Sequence, residues 1–348
     1  MSADFVWRDA GRTVVFRRGA LEAAVSLLGE HGFEPFTLLS TERALAEVPA
    51  LAEVAHTVHL VPPGQVPALA AALLDNAAEF LPPMDGKALP RLIVAIGGGR
   101  VIDTAKAIAS VTGARVAAIP TTMSGAEMTA IHRLPAGFED RVEATVRPEL
   151  VLADPEAMTS QPEAELRASA MNALSHGADS LYTPLANPVA EWAALRGAAA
   201  IAAALDEGRD GRDRAQLALG SLLCAYALDS AGLGLHHVVC QTLVRVCGSP
   251  HAETNAAVLP AAMSFLATRA PALIGPLAAA IGTYPEQLEA RLLELGGNPA
   301  GLEEIGADRA RLNEAIEAML SRSELARVPG PPLTRADLAA LIDLAWQR

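Results

Sequence analysis

The first 155 residues alternate short apolar or β-branched runs with alanine-rich amphipathic stretches. The pattern predicts helices between strands at residues 13–16, 36–40, 91–96, 114–122 and 150–154. The first helix is expected to run from Ala20 to Gly32, where glycine is a typical C-terminal cap. The run at 91–96 is apolar on both faces, as in a central parallel strand. This alternation of strand and helix is typical of a parallel α/β sheet.

From about Thr159 onward the strand pattern almost disappears, and long amphipathic helical patterns replace it. An α/β half followed by an all-helical half predicts two domains with a cleft between them. We place the boundary at Asp154 and Pro155, which gives an α/β domain over residues 1–155 and a helical domain over residues 156–348. A polar stretch at residues 132–149 interrupts the first domain and predicts an excursion toward the cleft.

Composition narrows the class of protein. Of the 348 residues, 51% are hydrophobic and 19% are charged, and we see no run approaching the roughly 20 apolar residues of a membrane span. The net charge of −13 has the wrong sign for attraction to nucleic acid or to an anionic membrane. The three cysteines include no CxxC pair and lie in apolar stretches, which predicts buried thiols, a reducing compartment and no zinc knuckle. The first residues contain no apolar signal core, so we expect a cytoplasmic protein.

Three consecutive glycines, Gly97, Gly98 and Gly99, follow the strand at 91–96 and open a predicted helix. Glycine at such a place lets the backbone approach a pyrophosphate, while the helix N-terminus supplies amide donors and partial positive charge. The run matches neither GxGxxG nor a Walker loop. A tight turn that merely needs glycine is the alternative.

Polar residues around this loop are further candidates. Asp103 suits the first turn of the helix as a ligand contact or as a cap, and Lys106 either faces the cleft or lies on the helix surface. Thr121, Thr122 and Ser124 follow the next predicted strand, where their hydroxyl groups can meet phosphate or ribose. A structural Thr/Ser-rich turn is the alternative for these three.

The helical half contributes histidines. Asn172 and His176 are four residues apart in a helical pattern and therefore share one face. With His237 and His251, His176 is a candidate for a three-nitrogen metal site that leaves one position open for substrate. The alternative is that each is an ordinary hydrogen-bonded histidine.

Taken together and in this order, these segments resemble the iron-containing alcohol dehydrogenase family over nearly the whole chain, and within it the maleylacetate reductase branch. The likeness rests on FVWRDAGRTVVF, AIGGGRVIDTAKAIA, IPTTMSGAEMT, NALSHGADSLY, LHHVVCQTL, PHAETNAAVLP and PLTRADLAALIDLAW. It implies the dehydroquinate synthase-like fold, an α/β nucleotide-binding domain followed by a helical metal-binding domain, in a protein that commonly forms homodimers.

The resemblance also implies hydride transfer from NADH or NADPH. The implied cofactor-binding residues are Gly97, Gly98, Gly99, Arg100, Asp103, Thr121, Thr122, Ser124 and Thr41. No acidic residue stands directly at the end of the strand at 36–40 to hold a ribose hydroxyl, while Ser40 and Thr41 tolerate a 2′-phosphate, so both cofactors stay open.

The implied catalytic residues, and the implied ligands of an iron or zinc ion, are His176, His237 and His251. Asn172 stands where metal-dependent relatives carry an aspartate. Loss of that carboxylate removes a negative charge and is expected to weaken metal binding. Without a metal, the same histidines are candidates to donate hydrogen bonds or protons to a carbonyl or enolate oxygen.

Several residues depart from the reductase pattern. Arg100 and Ala126 replace serines, Val244 and Arg245 replace a glycine-rich turn, and Gln241 stands where relatives commonly carry another active-site histidine. Three arginines of the polar excursion are candidates to bind a dicarboxylate or are surface charges: Arg133, Arg141 and Arg147.

The main hypothesis is a cytoplasmic NAD(P)H-dependent reductase that transfers hydride to a small unsaturated oxo-dicarboxylate. One alternative is an alcohol dehydrogenase or carbonyl reductase of the same family acting on a different substrate in a specialised biosynthetic pathway. Another is a family member that has lost redox activity. We expect a small-molecule substrate and a homodimer, with no nucleic-acid or membrane partner.

Overall fold

The computed structural model describes residues 5–9, 11–76, 91–138 and 145–346. The chain divides into two units, of which the first ends at Ser160 and the second begins at Gln161. The domain boundary expected between residues 155 and 156 falls inside a short helix, Pro155–Met158, that belongs to the first unit.

One sheet of seven strands runs through the first unit in the order β1-β2-β7-β6-β5-β3-β4. The strands are β1 (Phe5–Asp9), β2 (Arg12–Phe16), β3 (Thr37–Ser40), β4 (Thr57–Leu60), β5 (Leu92–Gly97), β6 (Arg115–Pro120) and β7 (Leu150–Ala153). Only the β1–β2 pair is antiparallel, and every other pairing in the described sheet is parallel. The five strands predicted from sequence are present; β1 and β4 are additional.

Helices cover both faces of this sheet. They are α1 (Ala24–Glu30), α2 (Glu42–Glu47), α3 (Ala50–Val54), α4 (Val66–Asn76), α5 (Gly99–Thr112) and α6 (Pro155–Met158). Along β5, Val94 and Ile96 pack into the core formed with α1, α2 and α3, while Ile93 and Ala95 pack into the core formed with α4 and α5. All six residues of β5 are buried, which confirms the predicted central strand.

The described part of the second unit is helical and contains no strand. Its helices are α7 (Glu163–Ser180), α8 (Pro188–Asp206), α9 (Gly208–Gly211), α10 (Arg214–Ala231), α11 (Leu235–Cys247), α12 (His251–Arg269), α13 (Pro271–Ala280), α14 (Leu288–Leu295), α15 (Leu312–Leu320) and α16 (Arg335–Trp346). Helix α7 is central, because it packs against α8, α10, α11 and α12 and every residue from Ala168 to Ser180 is buried.

Helix α8 is apolar enough over its length to cross a membrane, and α10 with α11 passes the same test as a bent pair, which the sequence analysis did not anticipate. Within the second unit α8 packs against α10 and α7. Gly197 of α8 and Gly220 of α10 approach so closely that a Cβ on either would lie 2.8 Å from the other's carbonyl oxygen. Cys224, like the other two cysteines, is free and buried as predicted.

Candidate functional site

The sheet gathers three candidate segments of the first unit at one edge. Strands β3 and β6 are the neighbours of β5 and run parallel to it. Thr41 follows β3, the glycine run begins at the end of β5, and residues 121–124 follow β6. The carboxyl ends of adjacent parallel strands are where such sheets bind ligands.

The glycines allow close packing at this edge. Gly97 has a φ of +151°, a conformation that favours glycine. A Cβ on Gly98 would lie 3.2 Å from Cγ2 of Thr122, and a Cβ on Gly99 would lie 2.9 Å from Cβ of Ser124. Gly97 therefore needs to be glycine because of its backbone conformation, as in the tight-turn alternative. Gly98 and Gly99 have a different role, because the absence of a side chain lets the backbone lie against Thr122 and Ser124.

Helix α5 begins in this loop with Gly98 as its N-cap, a residue that has no side chain to cap the first turn. The backbone N–H of Val101 donates back to the carbonyl oxygen of Gly98 at 3.0 Å. Asp103 does not cap the helix, since its Oδ1 accepts from Lys106 Nζ at 2.8 Å. Arg100 is exposed. Uncapped first-turn amides at a glycine loop fit the pyrophosphate of a dinucleotide.

Lys106 neither faces a cleft nor lies on the helix surface, contrary to the sequence analysis, because its side chain is fully buried. Besides Asp103, its ammonium group donates to the carbonyl oxygens of Ala126 at 3.0 Å and Ile131 at 2.8 Å. An ammonium group has three N–H donors, and all three are used. Lys106 thus ties α5 to the chain that follows β6.

The hydroxyl groups of Ser40, the last residue of β3, and of Thr41, which follows it, have structural partners. Thr41 is the N-cap of α2, and its Oγ1 accepts from the backbone N–H of Ala44 at 3.2 Å. Ser40 is fully buried and donates to the carbonyl oxygen of Ile96 at 3.2 Å. The expectation that Ser40 accommodates a 2′-phosphate is therefore wrong, whereas Thr41 is only half-buried and keeps a hydroxyl donor.

Substituting Gly99 by alanine is expected to destabilise the first unit by about 1–2 kcal/mol and to weaken NADH binding, because the new Cβ overlaps Ser124. The double variant Gly99→Ala/Ser124→Gly removes the overlap and is expected to recover most of the stability. Urea unfolding and fluorescence transfer from tryptophan to NADH measure the two effects. Equal stability of wild type and Gly99→Ala would contradict the packing argument.

The polar excursion, residues 132–149, begins at His132. The ring of His132 forms hydrogen bonds to the backbone near both ends of the excursion, at Arg133 and Val146. His132 Nε2 accepts from the backbone N–H of Val146 at 3.1 Å, so its Nδ1 is the nitrogen that can donate to the carbonyl oxygen of Arg133 at 3.2 Å. Burial lowers the pKa of His132, which favours this neutral form. Of the candidate arginines, Arg133 and Arg147 are exposed, and Arg141 lies outside the described residues.

Two histidines of the second unit lie together. The rings of His176 on α7 and His237 on α11 are stacked, with centroids 5.0 Å apart. Both side chains are buried, yet Nδ1 of His176 and Nε2 of His237 have no hydrogen-bond partner. Buried polar atoms without a partner are uncommon and indicate a place where a ligand completes the bonding. This pair is the centre of the candidate site.

Asp179 orients His237. Its fully buried carboxylate lies 2.7 Å from His237 Nδ1 and accepts from the backbone N–H groups of Gly234 at 3.0 Å and His237 at 3.1 Å. It also accepts from the Tyr182 hydroxyl. Burial alone would raise the pKa of Asp179, but these donors, led by His237, lower it to about 2. An ionised Asp179 accepts the Nδ1–H of His237 and leaves Nε2 without a partner.

His236 is held in place by hydrogen bonds inside the second unit. Its Nε2 lies 2.9 Å from Oδ1 of Asn255, and Asn255 in turn donates from Nδ2 to the carbonyl oxygen of His251 at 2.7 Å. His251, the first residue of α12, is exposed. The three predicted histidines are thus unequally placed: His176 and His237 form a stacked pair, and His251 lies at the start of a neighbouring helix.

The described donors do not fit a metal ion. No group of three or more His, Cys, Asp or Glu side chains within the described ranges is arranged to hold one. Asn172, buried on α7, contributes an amide instead of a carboxylate. Burial, followed by the nearby His237, His236 and His251, lowers the pKa of His176 well below its usual value, so His176 is neutral near pH 7. Neutral imidazole can bind a metal or a substrate oxygen, and the proposal below assigns no step to a metal.

Sequence reasoning missed Asp179, Tyr182 and Arg322. Asp179 lies three residues beyond His176, and its position on a helix with a histidine was a usable signal. Arg322 begins the short helical turn at Ser323–Arg327 and donates from Nη1 and Nη2 to Oε1 of Gln241, both at 3.2 Å. Nothing in the local sequence around Arg322 indicated this contact.

Comparisons with known proteins agree with this architecture. Residues 11–155 match the model of iron-containing alcohol dehydrogenase, and residues 167–345 match that of the C-terminal domain of the same family. Maleylacetate reductase of Pseudomonas sp. strain P51 is 32% identical over 353 residues, with 96% of this chain and 95% of that protein covered.

Two solved structures give the same result. An iron-containing alcohol dehydrogenase from Corynebacterium glutamicum superposes with a TM-score of 0.81 at 29% identity, covering 96% of this chain and 94% of the other. Maleylacetate reductase from Rhizobium sp. strain MTP-10005 superposes with a TM-score of 0.79 at 26% identity, covering 99% of each chain. The resemblance and the fold class predicted from sequence are confirmed, and the chain belongs to the iron-containing alcohol dehydrogenase family of NAD(P)-dependent oxidoreductases.

Proposed function

We propose that this protein is a reductase of the maleylacetate type, which uses NADH or NADPH to reduce the carbon-carbon double bond of a small unsaturated oxo-dicarboxylate. The observation that carries the proposal is the stacked pair His176 and His237, with one unpartnered buried nitrogen on each ring. The 32% identity to a maleylacetate reductase along 96% of the chain supports the substrate class.

The histidine pair suits the charge that develops in this reaction. Hydride addition to a double bond conjugated with a carbonyl moves negative charge onto the carbonyl oxygen, and an enolate forms. Donors placed at that oxygen lower the barrier. We assign His237 to this oxygen in its doubly protonated form, in which Nε2 carries a hydrogen to donate and the ionised Asp179 at 2.7 Å from Nδ1 balances the positive charge of the ring.

The cofactor supplies the hydride when it is bound. We assign its pyrophosphate to Gly97, Gly98 and Gly99 and the first turn of α5, and neighbouring contacts to Arg100, Asp103, Thr121, Thr122, Ser124 and Thr41. The uncapped helix N-terminus and the close packing of the glycines against Thr122 and Ser124 support this assignment. Arg133 and Arg147, both exposed, and Arg141 are assigned to the carboxylates of the substrate.

Catalysis is expected to proceed without added metal, and Asn172 explains why. Replacing Asn172 by aspartate restores a carboxylate one helical turn from His176 and is expected to raise affinity for Zn²⁺ by roughly tenfold or more, since charge on a ligand favours a dication. Equilibrium dialysis with metal analysis measures the change. Asn172→Ser, which adds no charge, is the control, and equal Zn²⁺ affinity in all three proteins would contradict this role.

The decisive assay follows the oxidation of NADH and of NADPH by the purified protein with maleylacetate. It is run as purified, with added Zn²⁺ or Fe²⁺, and with a chelator. We expect turnover that survives chelation. Cofactor binding without turnover of maleylacetate would contradict the substrate and leave the reductase class in place.

A second candidate is an alcohol dehydrogenase or carbonyl reductase with a different substrate in a specialised biosynthetic pathway. The observation that favours it is Gln241, which bonds to Arg322 at a position where relatives commonly carry an active-site histidine. Turnover of simple aldehydes or ketones faster than maleylacetate would select this candidate.

We propose that the enzyme is cytoplasmic and forms a homodimer. The three buried free cysteines support a reducing compartment. Sedimentation equilibrium tests the dimer, and a monomer at micromolar concentration would contradict it.

A further inference from the structure

Gln241 lies one helical turn beyond His237 on the same face of α11. Exposure increases along this face: His237 is buried with 4% of its surface exposed, Gln241 is half-buried, and Arg245 is exposed. On this face of α11, Gln241 is therefore the next side chain after His237 in the direction of increasing exposure.

An ion pair holds Gln241 from one side. Arg322 donates from Nη1 and Nη2 to Oε1 of Gln241, each at 3.2 Å, and from Nε and Nη2 to the carboxylate of Glu324, at 3.1 and 2.6 Å. The hydrogen bond from Arg322 lowers the pKa of Glu324, so both partners are charged near neutral pH. Arg322 is thus neutralised by Glu324, and it serves Gln241 as a fixed donor.

This contact determines which way the amide of Gln241 points. A guanidinium group carries donors only, so the oxygen of the amide must face Arg322 and the NH₂ group must face away. No acceptor among the described residues bonds Nε2 of Gln241. Two N–H donors therefore remain on the helix face that Gln241 shares with His237.

We propose that Gln241 binds the substrate, donating a hydrogen bond from its side-chain amide to a carboxylate or carbonyl oxygen beside the reacting carbon, and that Arg322 is a positioning residue for that amide. This inference rests on the proposed function. A histidine at this position changes its charge near neutral pH, whereas an amide donates at every pH. The arrangement selects substrates that carry an acceptor oxygen at this place.

Two substitutions of Gln241 test the donor. Gln241→Met keeps the length of the side chain and removes the amide, and is expected to raise the KM for maleylacetate by roughly tenfold with less than about threefold change in kcat. Gln241→Glu keeps an acceptor for Arg322 but replaces the donor by a negative charge, and is expected to raise KM by roughly 100-fold. Thermal stability and NADH binding are expected to match wild type.

A double-mutant cycle tests the positioning role. Arg322→Met is expected to raise KM by less than Gln241→Met does, and Arg322→Lys to recover part of the loss. If Arg322 acts through Gln241, the double variant is no worse than Gln241→Met alone. Additive effects would overturn the role of Arg322. The matched control is Arg311→Met, which breaks the exposed Arg311–Glu314 pair and is expected to leave KM unchanged.

Titration calorimetry with maleate separates this inference from the reaction itself. Maleate is an unsaturated dicarboxylate without the ketone group that takes up negative charge in the proposed reaction. It is titrated into wild type and Gln241→Met in the presence of oxidised cofactor, which has no hydride to transfer. A loss of maleate affinity in Gln241→Met supports the inference, whether or not wild type reduces maleylacetate. Failure of wild type to reduce maleylacetate, taken alone, rejects only the proposed reaction. The inference is overturned when Gln241→Met leaves both KM and maleate affinity unchanged, or when wild type neither binds maleate nor reduces maleylacetate.

Discussion

Replacing His237 by asparagine is expected to lower kcat/KM for maleylacetate by roughly 10²–10⁴-fold, the usual contribution of a positioned proton-transfer group. The asparagine Nδ2 lies near the place of the histidine Nδ1, so the variant keeps a donor for Asp179. It loses Nε2, the nitrogen without a hydrogen-bond partner. The loss of activity is therefore expected without loss of the fold.

The neighbouring histidine provides the matched control. His236→Gln keeps a donor for Asn255, because the glutamine Nε2 lies near the place of the histidine Nε2. We expect this variant to keep its activity within a few fold. Steady-state kinetics and circular dichroism of both variants give the comparison, and full turnover by His237→Asn would show that the stacked pair is not the reaction centre.

His237→Ala separates the two roles of the residue. It removes Nε2 and also the ring donor of Asp179, a fully buried charge. Removing one partner of a buried charge is strongly destabilising. The alanine variant is therefore expected to lose activity like the asparagine variant and to unfold at a lower urea concentration.

The sheet was predictable because most of its strands are buried on both faces. A strand such as β5, with six buried residues in succession, leaves an unbroken apolar run in the sequence. Strand β4 is half-exposed at the edge of the sheet and leaves no such run. Strand β1 belongs to an antiparallel pair, which the search for alternating strands and helices does not detect.

The site was predictable as far as local spacing reaches. The four-residue interval between Asn172 and His176 places both on one face of α7. The partner of His237 is Asp179, 58 residues earlier, and this contact forms only when α7 packs against the start of α11. Lys106 was misplaced for the same reason, because its carbonyl acceptors at Ala126 and Ile131 come from a separate segment.

Glu127→Gln is expected to gain stability relative to the wild type as pH rises. Glu127 is fully buried, and neither carboxylate oxygen has a hydrogen-bond partner. Lys106 is close, but its three N–H donors are used by Asp103, Ala126 and Ile131. Burial is the largest influence and raises the pKa of Glu127 from 4.5 to about 7, opposed by the nearby positive charges of Lys106 and Arg12.

The sign of the pH dependence follows from this raised pKa. Below the ordinary pKa of 4.5 the carboxyl group is protonated in both the folded and the unfolded chain, and ionisation costs nothing. Between pH 4.5 and about 7 the unfolded chain ionises first, so the stability of the wild type falls as pH rises. Above pH 7 the loss is complete, and a shift of this size corresponds to about 3 kcal/mol.

Glutamine does not titrate, so the variant escapes this loss. Its own unpartnered amide imposes a cost that is the same at every pH. The expected observation is therefore a change in the difference between the two proteins: from about pH 5 to about pH 8.5, the free energy of unfolding of Glu127→Gln should rise relative to wild type by about 2–3 kcal/mol. Urea unfolding at several pH values measures it, with Glu53→Gln on the exposed surface of α3 as the control. A constant difference across this range would mean that Glu127 is ionised in the folded protein, and the neighbouring Lys106 and Arg12 would then outweigh burial.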